Sequence, residues 1–219
     1  MKKLVATLLA TILLTVNASA VDITDLSVGI SGGQGVFAAT GTENEFDEAG
    51  STSHDTTEYG AFVESWATLF VEYDARDDVS IGLSYVPQTI ESPENINSAN
   101  NSTNTSKVRA EFEDWMTLYA KINLPNLGGA FAKVGYSLVD INTIETQGSG
   151  NTYPNTDTTG IMVGLGYEVE VGDGVALRAE VNGHDFSDVS VDNGQTNKNV
   201  IKVKDMIGLS GHISLVKSF

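Results

Sequence analysis

The chain has 219 residues, no Cys, and 29 acidic against 12 basic side chains, a formal net charge of −17. That acidity excludes nucleic acid as a partner, because phosphates demand a basic face. The absence of Cys excludes a disulfide framework and any thiolate metal site, and no motif points to a cofactor.

In chain order, Met1-Lys2-Lys3 is a basic start, Leu4 to Val16 is an apolar stretch, and Ala18-Ser19-Ala20 is a small-x-small cleavage pattern. This predicts a cleaved signal peptide over 1–20 and a mature chain from Val21, since the apolar run is too short to span a bilayer as a helix. Loss of Lys2 and Lys3 leaves 10 basic against 29 acidic residues in a 199-residue mature domain over 21–219, formally −19. No later segment is continuously apolar enough for a spanning helix, so any membrane reading must rest on strands.

Eight alternating segments follow, roughly 23–40, 57–73, 79–90, 107–124, 130–145, 158–171, 175–190 and 200–219. Connections after the second, fourth and sixth are short (74–78, 125–129, 172–174). Those after the first, third, fifth and seventh are long and polar (41–56, 91–106, 146–157, 191–199). Within each segment the side chains separate into an apolar and a polar face. Ala61, Val63, Leu69, Val71 and Tyr73 oppose Glu64, Thr68 and Glu72; Val108, Ala110, Phe112, Met116, Leu118 and Ile122 oppose Arg109, Glu111, Glu113, Thr117 and Lys121. Ile161, Val163, Leu165 and Tyr167 oppose Gly164, Glu168 and Glu170, and the last segment sets Ile207, Leu209, Ile213, Leu215 and Phe219 against Gly208, Ser210, His212, Ser214 and Ser218. Tyr73 and Phe219 are expected at one membrane interface, Tyr59 and Phe112 at the other.

The alternation, the short-long loop rhythm and the closing Phe219 resemble the small eight-stranded outer-membrane barrels typified by the OmpA transmembrane domain and OmpX, and more distantly OmpW. Lys217, third from the end, departs from that pattern. The resemblance covers 21–219 and implies an all-β, eight-stranded antiparallel up-and-down barrel in the outer membrane of a Gram-negative-type bacterium. Apolar faces would meet lipid, both termini would be periplasmic, and Ile213, Leu215 and Phe219 would be read by the assembly machinery. Outer-membrane lipid and lipopolysaccharide are the implied surroundings.

An inward polar face would hold Arg109, Lys121, Lys133 and Arg178 against Glu64, Glu72, Glu111, Glu113, Glu168, Glu170 and Glu180, an acidic lumen. Buried charges require partners. The tight turn Gly172-Asp173-Gly174 predicts Glu168 opposite Arg178, and the same counting brings Lys121 near Lys133, with Glu72 or Glu170 between them. Inward Phe62, Trp66, Phe70, Trp115 and Tyr119 would form either a packed plug or a partly apolar path. His212-Ile213-Ser214 resembles the His-x-Ser pair of lipid A deacylases but sits in the periplasmic half on the lumen face, far from a lipid surface; His54 and His184 show no partners. Glu43, Glu45, Asp47 and Glu48 could attract hard divalent cations, although their spacing matches no dedicated site. Gly32-Gly33-Gln34-Gly35 lacks a following helix, so it reads as a curvature device in a strand. The polar tip 97–106 would contact other surfaces or stay solvated. The expectation is a non-catalytic structural or surface-interaction barrel with a side-chain-plugged lumen. Behind it come a narrow cation-preferring or small-solute channel and a lipid A-modifying enzyme.

Overall fold

A computed structural model describes residues 25–46, 52–98, 105–146, 152–195 and 198–219. The expected signal peptide, Asp47, Glu48, the side chain of His54 and most of the 97–106 tip lie outside the described residues. The strands are β1 (Leu26–Phe46), β2 (Thr52–Arg76), β3 (Val79–Tyr85), β4 (Ile90–Glu91), β5 (Asn95–Ser98), β6 (Thr105–Asn123), β7 (Ala130–Thr146), β8 (Thr156–Gly172), β9 (Val175–Phe186), β10 (Val189–Asp192) and β11 (Asn199–Ser218).

These make eight staves. β3, β4 and β5 follow one another along β6 as one interrupted stave, and β10 continues β9 along β11. All pairings are antiparallel, and β1 pairs with β11 from Ser27↔Ser218 to Glu45↔Asn199, which closes the sheet on itself. Several hairpins run further than the alternation suggested. β1 and β2 stay in register up to Glu45↔His54 and slip by one residue to Phe46↔Thr52, because their polar upper residues still pair backbone to backbone.

The faces are inverted relative to a soluble barrel. Ile30, Val63, Leu118, Leu165, Val181 and Ile213 are exposed, whereas Glu72, Lys121, Arg178, Ser80 and Ser137 are buried. Apolar side chains outside and polar ones inside suit a wall in contact with hydrocarbon. The short turns use positive φ, at Asn126 (68°) and at Gly128 (56°) two residues on, and at Asp173 (53°) followed directly by Gly174 (69°).

One bulge overturns part of the expected lumen. Asp114 has φ 49°, and the β6–β7 register slips from Glu113↔Asp140 to Met116↔Leu138. The extra residue reverses the side-chain parity of β6 above it. Trp115, Thr117, Tyr119 and Lys121 face inward below the bulge; above it Phe112 packs into the core instead of marking an outer girdle. Arg109, Glu111 and Glu113 therefore lie on the outer surface. There Arg109 reaches Glu111 at 2.7 Å and Glu91 at 3.4 Å, and Glu113 accepts from Thr89 at 3.0 Å. A similar slip at Asp205 (φ 53°) re-aims β11 above Met206.

A second irregularity opens a seam. β2 pairs with β3 only between Leu69↔Tyr85 and Arg76↔Val79, while its other edge is paired to β1 from Thr52 to Tyr73. Among the described residues, β2 above Leu69 has no backbone strand partner on the β3–β5 side. The third stave stays with β6 instead, through Val86 N–H to Trp115 O at 2.9 Å and the Ile90↔Phe112 pair. Pro87, which has no N–H to donate, stands at the break.

The inverted faces and the parity reversal make separate predictions. Ile213→Lys, near mid-wall on the lipid face, should destabilise the refolded protein in vesicles by about 2–4 kcal/mol in urea titrations. Phe112→Ala should cost roughly 2–4 kcal/mol, while Glu113→Ala should stay within about 0.5 kcal/mol. The reverse order for the last two would refute the bulge.

Candidate functional site

The lumen is built in tiers. The lowest is ionic and centres on Glu72, 1% exposed, and Arg178, 2% exposed. Arg178 Nη1 and Nη2 donate to the two Glu72 carboxylate oxygens at 2.7 and 2.6 Å, a bidentate pair, and Nε donates to Glu168 at 2.6 Å. The β8–β9 register sets Glu168 opposite Arg178. Lys121 and Lys133 are register partners, kept apart in charge by different acids: Lys121 lies 3.3 Å from Glu72, and Lys133 3.1 Å from Glu180. Tyr119 donates its hydroxyl to Glu72 at 2.8 Å, and Lys133 Nζ stands 4.0 Å over the Tyr119 ring. Phe70 and Phe131 flank the Arg178 guanidinium at 5.0 and 5.3 Å.

Three carboxylates thus face three cations across a desolvated section. This section is charge-balanced, and the expected acidic excess of the lumen shrinks, because Arg109, Glu111 and Glu113 are outside and Glu170 is exposed at the lower rim. Glu64 faces inward, half-buried, well above the network. Ile213, Leu215 and Phe219 lie on the outward face of the closing stave and its end.

Above the ions is a small polar tier. His184 Nε2 and His212 Nε2 both lie 3.0 Å from Ser210 Oγ, and Thr117 and Ser137 share a hydrogen bond of 2.8 Å. His212 is bonded to Ser210, not to Ser214. A cavity of about 40 Å³ lies here, lined in part by Thr68, Thr117, Lys133, Asn182 and both histidines.

The next tier is aromatic. Trp66 and Trp115 meet at a centroid distance of 5.7 Å, Phe37 packs on Phe62 at 5.5 Å, Phe62 stacks on Phe112 at 6.1 Å, and Phe186 meets Trp115 at 5.6 Å. Ile90, Val139 and Met206 complete the walls of a cavity with about 60 Å³ of free space. Rings this large fit because glycines sit opposite them. A Cβ on Gly35 would lie 2.6 Å from Trp66 Cη2 and one on Gly208 2.5 Å from Phe37 Cδ1; in the polar tier below, one on Gly33 would lie 2.2 Å from His212 Nδ1. Gly33 and Gly35 thus make room for rings, a role beyond the curvature expected of the 32–35 run.

At the mouth, Glu43 accepts from Asn199 Nδ2 at 2.6 Å, and buried Tyr153 donates its N–H to Glu145. Among the described residues no group of three or more His, Asp or Glu is arranged to hold a metal ion. Sequence reasoning missed Phe37, Phe112, Phe186 and Asn182 as lumen residues, while Ser210 lies on the polar inward face that alternation gave it. Asn182, His184 and Phe186 share one face of β9 by simple alternation, so that part was readable; Phe112 was hidden by the bulge.

The ionic tier should behave as a unit. Glu72→Ala should destabilise by about 3–5 kcal/mol by leaving Arg178 buried without its main partner, whereas Glu72→Leu with Arg178→Met should recover most of the loss. Urea unfolding in vesicles measures both, and equal losses in the single and double variants would contradict the coupling.

The closed antiparallel ring agrees with comparison to known proteins. Among solved structures, the chain is similar to the outer membrane protein OprG from Pseudomonas aeruginosa, with a TM-score of 0.57 and 12% identity over 88% of this chain and 96% of that one. It is also similar to the outer membrane protease OmpT from Escherichia coli (TM-score 0.46, 8% identity, 88% and 97% covered) and to Neisserial surface protein A (0.39, 12%, 87% and 97%). Identities this low speak to fold alone. A search of curated proteins found no match. A family model for the outer membrane protein beta-barrel domain matches residues 6–204, and the chain belongs to that family of outer-membrane barrels.

Proposed function

We propose that this barrel takes small apolar molecules from its outer mouth into the aromatic tier and releases them sideways, through the seam beside β2, into the membrane. The observation that carries this reading is the position of the aromatic tier. It sits directly above a charge-balanced ionic plug and level with the part of the wall that lacks backbone pairing. Packed rings also stabilise a purely structural lumen, but here six of them gather in one tier around a cavity, beside the unpaired stretch of wall. Transfer straight through would have to break the Glu72–Arg178–Glu168 network at its most desolvated point. Lateral release leaves that network intact.

In this reading both termini face the periplasm, outer-membrane lipid and lipopolysaccharide surround the wall, and the assembly machinery engages the β11 end through Ile213, Leu215 and Phe219. The reading is non-catalytic: the serine bonded to His212 is Ser210, enclosed in the lumen between tryptophans and ions, away from any lipid surface. The second reading, a structural or surface-interaction barrel with a permanently plugged lumen, is favoured by the small free volume of about 60 Å³. Admission of a ring-sized molecule requires Phe62 and Phe112 to rotate apart.

Two measurements test this. Planar bilayers holding the refolded protein should show no discrete ion-conducting steps; cation-selective steps would move it to the channel class. The chain's two tryptophans, Trp66 and Trp115, both line the aromatic tier, so their fluorescence reports its occupancy. Bromobenzene should quench them saturably, and Ala39→Phe, which fills the cavity, should weaken that quenching by about tenfold, the equivalent of ~1.4 kcal/mol. An unquenched, correctly folded protein would favour the permanent plug.

A further inference from the structure

The seam is not simply unpaired. Just above the last β2–β3 backbone pair, Gln88 lies on the outer face and reaches across to β2. Its Oε1 accepts the Ala67 N–H at 3.0 Å, and its Nε2 donates to the Ser65 carbonyl at 2.9 Å. One side-chain amide thereby stands in for a peptide unit of the missing strand. Beside it, Gln34 Nε2 donates to Ser65 Oγ at 3.1 Å. Ser65 is eight residues above Tyr73, roughly 20 Å up a tilted strand, inside the lipid-facing band. Behind the clasp stands Trp66, a wall of the aromatic tier.

We infer that Gln88 is the clasp of the lateral exit, and that it selects apolar molecules carrying a neutral hydrogen-bonding head over pure hydrocarbons. The inference rests on the lateral-release reading. At this depth no water is present to satisfy a freed Ala67 N–H, Ser65 carbonyl or Gln88 amide, so opening the clasp unaided is costly. A phenol, alcohol or similar head exchanges hydrogen bonds with these groups as it passes; a hydrocarbon leaves them orphaned. Because a side chain rather than a strand makes the closure, it releases by rotamer change without unzipping the wall. The same two bonds keep the seam shut to lipid when nothing is passing.

The test uses the full barrel in phosphatidylethanolamine–phosphatidylglycerol vesicles, with tryptophan quenching followed by stopped flow. Two probes of similar size are compared, 4-bromophenol and bromobenzene. In the native sequence 4-bromophenol should equilibrate about tenfold faster, the worth of one or two net hydrogen bonds. Gln88→Leu keeps bulk without hydrogen bonds and should speed bromobenzene about fivefold, shrinking the preference. The natural chain has no Cys, so Ser65→Cys with Gln88→Cys can be joined by a short thiol crosslinker, which should slow both probes. Heat-modifiable gel mobility checks that each variant is folded. Equal rates for the two probes, or rates unchanged in both variants, would overturn the clasp while leaving the aromatic tier as a binding site. Absence of quenching by either probe in every folded variant would overturn lateral release itself, and the clasp with it.

Discussion

Everything in this molecule follows from one constraint: a chain crossing hydrocarbon must satisfy its own backbone hydrogen bonds. The β1–β11 ladder meets it by joining the two ends of the sheet, leaving no edge over the lower wall. Closure with eight staves then fixes a narrow interior. That interior must be filled, and what fills it has to be paired, because it is as dry as a protein core.

The filling is ordered by chemistry. Charges gather where Glu72 is able to accept from Arg178 and Tyr119 while lying close to Lys121. Replacing such a network with apolar side chains is often neutral for stability, but removing one member is not. Rings gather above it, where glycines on neighbouring staves leave space for them. The two bulges sit at the level of the rings, and each turns apolar side chains inward above it. A barrel with regular staves throughout would have exposed Phe112 and turned Arg109, Glu111 and Glu113 inward.

At the seam the backbone constraint is met by a side chain. Along β2 the satisfied edge ends at Leu69, and Gln88 carries the pairing one step further. Such a closure is weaker than a strand and faster to release. In the proposed reading, its location beside the aromatic tier, above the ionic floor, separates a lateral route from a through-pore.

By itself the sequence determined the class of fold. The short-long loop rhythm and the two-residue alternation specify an up-and-down closed sheet, and the tight Gly172-Asp173-Gly174 turn sets the register that faces Glu168 with Arg178. Which aromatics line the upper lumen, which acids lie outside, and where the wall is unzipped were decided by the tertiary structure. The reason is physical: strand parity is a local property that one added residue reverses, and neither Asp114 nor Asp205 differs in sequence from an ordinary polar position. The balance of three acids and three bases likewise emerges only when five staves meet around one point. The Gln88 clasp emerges only when its own stave turns away from β2.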